Sequence, residues 1–466
     1  MGFTSLSFLV FFPIIWLIYL AIPPKARILW LLAASYAFCW SFGFNNVLVL
    51  LASTAVTYGA GVGLEAHREG QGRRLLLAGA VLLHVLFLFF VKYNRANFFI
   101  PIGISFYTCQ AVGYLVDVYR GRAAEHHVIR FALFQAFFPK LVQGPIEQSG
   151  NLLEQIRHLD EKDIRNLDSI RSGALLLLWG LFQKLMIADR LAVPVNAVFG
   201  QFGAFGGVEI LLATLIYAFQ IYCDFAGYTN IARGAAKMCG IDLLENFWRP
   251  FLSESVQDFW RRWHITLGSW LREYVYIPLG GNRKGKLRKQ INILITFTLS
   301  GVWHGVGVHY LLWGVLQGVG QLVDIARWKI PKVLKQIIVF LFFDATLMVF
   351  RVNSLGDLRG MLKILATDFR LRDFAGMQLG GLEWLLALFG IILVLAKDIF
   401  NDRGVSFQKK ILEGPAVVRC LIYTAMIGGI VIFGEYGAAY GVCGDGCGSH
   451  SFDISAGKGL QLSGGG

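Results

Sequence analysis

The sequence predicts an all-α integral membrane protein, with roughly ten to thirteen transmembrane or re-entrant segments and further helices at the interface. Three observations carry this. The chain is 56% hydrophobic and 16% charged over 466 residues, with a mean hydropathy of +0.57, more apolar sequence than a soluble domain of that length can hide. Apolar runs long enough to cross, or nearly cross, ~30 Å of hydrocarbon recur along the chain. The polar intervals between them are short, amphipathic or basic.

Residues 6–22 open the series. They are read as a retained first helix, because no basic stretch precedes them, no small-residue cleavage site follows, and further spans come at once. A myristoylation signal is excluded, since Leu6 stands where Ser or Thr is required. Spans follow at 28–42, 47–62, 75–91, 100–116 and 131–142. Residues 151–171 place Leu152, Ile156, Leu159, Ile164, Leu167 and Ile170 among charges, the pattern of a helix on the membrane surface. Spans resume at 173–187, 208–222, 291–302, 306–323, 333–349, 382–395 and 417–433. There is no soluble domain and no internal repeat. Residues 1–440 read as one membrane unit, and 441–466 as a glycine-rich tail to which no function is assigned.

The formal charge of +13 gathers in loops such as 67–74, 120–130 and 249–289, without the repeated aromatic and basic pattern of a nucleic-acid surface. Positive-inside bias accounts for it, and the block Arg283 to Lys289 is expected on the cytoplasmic face. Membrane lipid is an expected partner and nucleic acid is not. The seven cysteines fit neither a zinc site nor a disulfide framework. Cys39, Cys109, Cys223, Cys239 and Cys420 read as small buried hydrophobes; Cys443 and Cys447 fall in the tail.

Two histidines stand out. Trp260, Trp263, His264, Leu267, Trp270, Leu271 and Tyr274 recur at i, i+3, i+4 spacing, with Arg261, Arg262, Ser269, Arg272 and Glu273 opposite. One interfacial helix is expected, opened by Asp258, closed by Pro278 and Gly280-Gly281, with His264 facing the interior. His304 lies fifteen residues beyond Lys289, ~22 Å along a helix and so deep in the bilayer. Ionisable groups at that depth mark functional paths. Gly301, Gly305 and Gly307 are expected to leave room beside it. A desolvated imidazole stays neutral and can accept a proton from an alcohol attacking an acyl carbonyl; a histidine merely bonded to a neighbouring helix is the alternative. The same choice holds for His264, which bonds a carbonyl or orients His304 or a substrate. His309 reads as structural, His126 and His127 as solvated. No metal site and no permanently bound cofactor are expected.

The phrases 104–120 (ISFYTCQAVGYLVDVYR), 138–145 (FPKLVQGP), 220–234 (QIYCDFAGYTNIARG), 259–267 (FWRRWHITL), 276–284 (YIPLGGNRK) and 301–305 (GVWHG) stand in one order over nearly the whole chain. In them the sequence resembles the membrane-bound O-acyltransferase family, in particular its bacterial alginate O-acetylation branch. The resemblance implies a ring of tilted helices around a central tunnel, a cytoplasmic acyl thioester donor such as acetyl-CoA, and a hydroxyl acceptor on the other side. It implies the bacterial cytoplasmic (inner) membrane, and an extracytoplasmic acetyltransferase or other polysaccharide-modification protein as partner. The catalytic position falls on His304, as general base or as transient acyl carrier, with His264 beside it. Trp303, Trp263, Trp260, Arg261, Arg262, Arg272, Asn282 and Gln317 are the expected substrate-binding residues. Gln317 stands where relatives commonly carry a second histidine, and the tail departs from their apolar ending. Transfer of D-alanine to teichoic acid is the alternative within the family, and a non-enzymatic transporter the alternative outside it.

Overall fold

A computed structural model describes residues 1–67, 69–93, 99–323 and 325–436; the 441–466 tail, with Cys443 and Cys447, lies outside them. Among the described residues there is no named strand, only one isolated bridge between Phe247 and Trp263. The helices are α1 (Leu6–Ala21), α2 (Arg27–Trp40), α3 (Phe44–Ala66), α4 (Gln71–Tyr93), α5 (Ile104–Tyr119), α6 (Val128–Ala136), α7 (Phe138–Leu141) and α8 (Glu154–Arg157). There follow α9 (Leu167–Leu181), α10 (Asp189–Gly200), α11 (Gly207–Met238), α12 (Val256–Arg262), α13 (Ile265–Leu271) and α14 (Lys286–His304). The last are α15 (Val308–Leu322), α16 (Lys332–Arg351), α17 (Leu355–Thr367), α18 (Gly381–Asp402), α19 (Phe407–Glu413) and α20 (Ala416–Phe433). Six helices among the described residues are long and apolar enough to cross a membrane: α3, α4, the continuous run Leu167–Gly200, α11, α16 and α20.

Contacts between helix ends sort those ends into two faces. On one, Arg27 at the start of α2 donates to the Lys162 carbonyl (2.8 Å), and Arg73 near the start of α4 to the Tyr119 carbonyl ending α5 (2.8 Å). Lys332, starting α16, pairs there with Asp402, ending α18 (3.2 Å). On the other, the Ile102 N–H before α5 donates to Asn46 at the start of α3 (2.8 Å), and Arg351, ending α16, to Asn196 of α10 (2.6 Å). The two faces matter because α14 runs from the first, where Lys286 to Lys289 lie, towards the second, where His304 ends it.

Small residues let the longest helices close on each other. A Cβ at Gly180 of α9 would lie 2.6 Å from the Gly227 carbonyl oxygen of α11, and one at Gly173 would lie 2.8 Å from that of Gly234. Two glycine pairs, seven residues apart on each helix, therefore set the crossing, as expected where lipid supplies no hydrophobic drive between helices. Just beyond it, the π-helical turn Phe182–Ala188 carries Lys184, buried against Asp189 (2.6 Å) and Asp224. A paired cation at this depth is tolerated where a lone one is not.

Four sequence expectations are corrected. Residues 131–142 are not one helix: the chain breaks at Phe137 between α6 and α7. Residues 151–171 form no surface helix. Leu152, Ile156, Leu159 and Ile164 turn into the protein, and Asn166, whose side chain accepts from the Asp168 and Ser169 N–H groups, starts α9 inside the interval. The aromatic helix around His264 is two helices, α12 and α13. Cys420 is exposed on α20, so only four of those five cysteines are buried.

Candidate active site

The segment after α11 determines where His264 goes. Residues 246–248 run antiparallel to 262–265: the Trp248 N–H donates to the Arg262 carbonyl (2.8 Å) and the Ile265 N–H to the Asn246 carbonyl (3.0 Å), around the Phe247–Trp263 bridge. These bonds pull the chain out of helical geometry between α12 and α13. His264 takes up the change in the left-handed region, φ 44° and ψ 52°, a conformation costing a non-glycine residue about 1–3 kcal/mol.

Asn246 supports that strained residue. Its Oδ1 accepts from the Thr266 N–H (3.2 Å), the Thr266 hydroxyl (2.7 Å) and the His264 Nδ1 (3.3 Å). A backbone N–H can only donate, so this Asn246 atom is the oxygen, and the proton of His264 sits on Nδ1. Nε2 is then left as an acceptor. Glu147, outside the spanning helices, fixes the same loop by accepting from the Leu244 N–H (2.6 Å). Burial pushes its carboxyl up to about 7.

The His264 ring is buried against Phe225 (4.6 Å between centroids), Trp303 (6.2 Å) and Phe106 (6.4 Å). Trp303 separates it from His304, whose ring lies 4.8 Å from Trp303, 5.2 Å from Trp313 and 5.3 Å from Phe350. His304 is half-buried, and no hydrogen bond to its ring is found among the described residues. Its imidazole is thus held by aromatic edges. The glycines do not leave the expected room, because α15 fills it. A Cβ at Gly301 would lie 3.1 Å from the Gly314 Cα, and Tyr310 and His309 occupy the space beside Gly305 and Gly307. The glycines serve a tight α14–α15 hairpin whose turn ends α14 at His304.

The expected site residues divide into two groups. His264, Trp303 and His304 form one aromatic cluster. Trp260 joins it through Trp313 (5.9 Å), and Trp263 packs beside it on Phe247 and Phe343 (5.0 Å each). Gln317 is buried behind Trp313, where its Oε1 accepts from the Trp260 indole (3.1 Å) and its amide donates to Thr346 (2.7 Å). Arg261, Arg272 and Asn282 are exposed, and Arg262 pairs with Asp258 (2.9 Å). None of these four lines the large cavity.

That cavity, about 750 Å³, opens on the face carrying Arg249 and Lys409 and reaches inward to Tyr222, Asn246 and Phe247. Arg233, Lys237, Arg249 and Lys397 bring positive charge to its wall, each beside a carboxylate. Sequence reading missed these residues, along with Asn246, Phe106, Phe225, Phe350 and Lys92, because they come from segments far apart in the chain. The one available signal was Lys92, a lysine ending an apolar run.

Comparison with known proteins follows this geometry. Residues 118–327, which hold Asn246, His264 and His304, match the model of MBOAT, the membrane-bound O-acyltransferase family. The chain is 33% identical over 459 residues to alginate O-acetylase AlgI of Pseudomonas syringae pv. tomato, covering 89% of this chain and 86% of that protein. It is 33% identical over 432 residues to AlgI of Pseudomonas aeruginosa, with 84% and 82% covered. The peptidoglycan O-acetyltransferase of Helicobacter pylori is 31% identical over 384 residues, with 72% and 73% covered. An all-helical membrane protein with a histidine-centred aromatic site, matched over most of its length at this identity, is an acyltransferase: the chain belongs to the membrane-bound O-acyltransferase family.

Proposed function

We propose that the protein moves an acetyl group from a cytoplasmic thioester such as acetyl-CoA across the membrane towards hydroxyls of an extracytoplasmic polysaccharide such as alginate. It would work in the bacterial inner membrane with an extracytoplasmic acetyltransferase as partner. The observation that carries the reading is His304, an imidazole with no hydrogen bond to its ring among the described residues, at the end of α14 inside an aromatic wall. His304 takes the proton of the attacking hydroxyl as that oxygen bonds to the thioester carbonyl carbon. The resulting oxyanion collapses, the C–S bond breaks, and the leaving thiolate receives the proton. The indole N–H groups of Trp303 and Trp313, beside His304, are buried without an acceptor among the described residues. An unmet donor costs ~1–3 kcal/mol, and sites that develop negative charge on a carbonyl oxygen keep such donors.

Sidedness follows from charge. Arg73, Arg120, the Arg283 to Lys289 block and Lys332 gather on the face where the large cavity opens, whereas the opposite face carries fewer basic residues, Arg359, Lys363, Arg370 and Arg372 beside the 201–206 loop and none in 305–307. Positive-inside bias makes the basic face cytoplasmic. The cavity is then the donor's access, its cations suited to the phosphates of a coenzyme A thioester. AlgI and the peptidoglycan O-acetyltransferase are named for O-acetylation of alginate and of peptidoglycan, which favours acetyl transfer over D-alanylation of a teichoic acid.

The test is release of labelled acetyl from acetyl-CoA by purified protein in vesicles, wild type against His304→Ala. Release by the wild type alone supports the reading. Equal release by both removes His304 from the chemistry. A wild type inert to acetyl-CoA but active with a carrier-bound D-alanyl thioester points to the teichoic acid alternative, and solute flux without acyl transfer to a transporter.

A further inference from the structure

We propose that Lys92 is a positioning residue for acyl transfer, holding the end of α14 so that the His304 ring stands at a fixed place in its aromatic wall. The inference rests on the acyltransfer reading above.

Lys92 lies in the last turn of α4, only 7% exposed. A cation buried to this extent is costly unless it is paired or hydrogen-bonded. Its Nζ donates to the main-chain carbonyl of Trp303 (2.6 Å) and lies 5.3 Å from the centroid of the Trp303 ring. That carbonyl belongs to the residue immediately before His304. The last carbonyls of a helix have no partner within it, and α14 stops at His304 with Gly305 extended, so the carbonyls of its final turn depend on donors from elsewhere. The backbone bond that closes the helix end, Gly305 N–H to the Gly301 carbonyl, is long at 3.4 Å.

Lys92 therefore does from a neighbouring helix what a C-terminal cap does from within, with a charge of the sign that the helix dipole favours. Through the same contact it fixes the indole that separates His264 from His304. Holding a general base to a fraction of an ångström is worth large factors in rate, and a displacement of about 1 Å can cost on the order of 10²-fold. A lysine retained only for packing would affect stability and leave turnover per folded molecule alone.

The experiment compares wild type, Lys92→Met, Lys92→Gln, Lys92→Arg and His304→Ala in vesicles, with acetyl-CoA turnover normalised to protein that elutes folded from gel filtration. Lys92→Met is expected to lower kcat on the order of 10²-fold with KM for acetyl-CoA within about 3-fold of wild type, since uniform binding is untouched. Lys92→Arg, which keeps a charged donor, is expected to recover most of the loss. If Lys92→Met does not fold, Lys92→Gln is judged by the same criteria. Unchanged kcat, or a raised KM with kcat intact, overturns the inference. If His304→Ala turns over like wild type, it is the acyltransfer reading that falls.

Discussion

Replacing Asn246 by alanine tests the strained histidine directly. The substitution removes the acceptor shared by the Thr266 N–H (3.2 Å), the Thr266 hydroxyl (2.7 Å) and the His264 Nδ1–H (3.3 Å). The hydroxyl can turn elsewhere, but the amide and the imidazole N–H are left buried without an acceptor. Each stranded donor costs ~1–3 kcal/mol, so a loss of about 2–6 kcal/mol is expected, at the upper end if His264 keeps its left-handed backbone. Equilibrium unfolding in detergent micelles, followed by tryptophan fluorescence, measures it, because Trp263 and Trp303 lie next to the affected residues. The same variant should lower acetyl-CoA turnover per folded molecule at least ~10-fold through misplacement of His264 against Trp303. A variant as stable as wild type to within about 0.5 kcal/mol would refute the reasoning, since no change so small is compatible with two orphaned donors.

Gly180→Ala forces α9 away from α11, because its Cβ would lie 2.6 Å from the Gly227 carbonyl oxygen; a loss of ~1–3 kcal/mol, seen as a lower unfolding midpoint in detergent, is expected. Lys184→Met strands Asp189 and Asp224 without their cation and should cost ~3–5 kcal/mol, part of which Lys184→Met with Asp224→Asn recovers in the same assay. Glu147 gives a pH dependence. Its folded carboxyl is raised from an ordinary 4.5 to about 7, so the folded state holds the proton more tightly, and stability at this site is greatest below pH 4.5 and falls as pH rises to about 7. Glu147→Gln should flatten that slope in unfolding curves taken across the window.

The helices were legible where the chain itself enforces them. Apolar runs near 47–62, 75–91 and 333–349 became α3, α4 and α16, because lipid allows the backbone few other ways to satisfy its N–H and C=O groups. Periodicity also identified the faces around His264: Trp260, Trp263, Leu267 and Leu271 are buried and Arg261 and Arg272 exposed, although the helix is broken. The break itself was not legible. No proline or glycine marks Trp263-His264, and the cause lies at 246–248, where a second backbone run supplies the competing hydrogen bonds. The surface helix expected at 151–171 failed for a related reason. Its apolar residues are amphipathic in pattern, but Arg27 and Lys162 tie the loop to the bundle through the Lys162 and Gly240 carbonyls, and the apolar side turns into protein instead of lipid.

On the proposed reading, thioester chemistry within the membrane has to defeat water, and the aromatic content of the site bears on this more directly than its charge does. Phe106, Phe225, Trp303, Trp313 and Phe350 surround the two imidazoles, while the charged residues of the large cavity stop at Asn246 and Phe247. On the proposed reading a donor leaves its phosphates among Arg233, Lys237 and Arg249 and passes only the small acyl end beyond Phe247. Water that follows must shed hydrogen bonds with few to replace them, which suppresses hydrolysis and strengthens the electrostatic interactions left inside. Opening this wall with Phe225→Ala should therefore raise the share of label released as free acetate over that delivered to an acceptor. An unchanged partition, measured by separating acetate from acetylated acceptor, would show that the wall shapes the site without governing water.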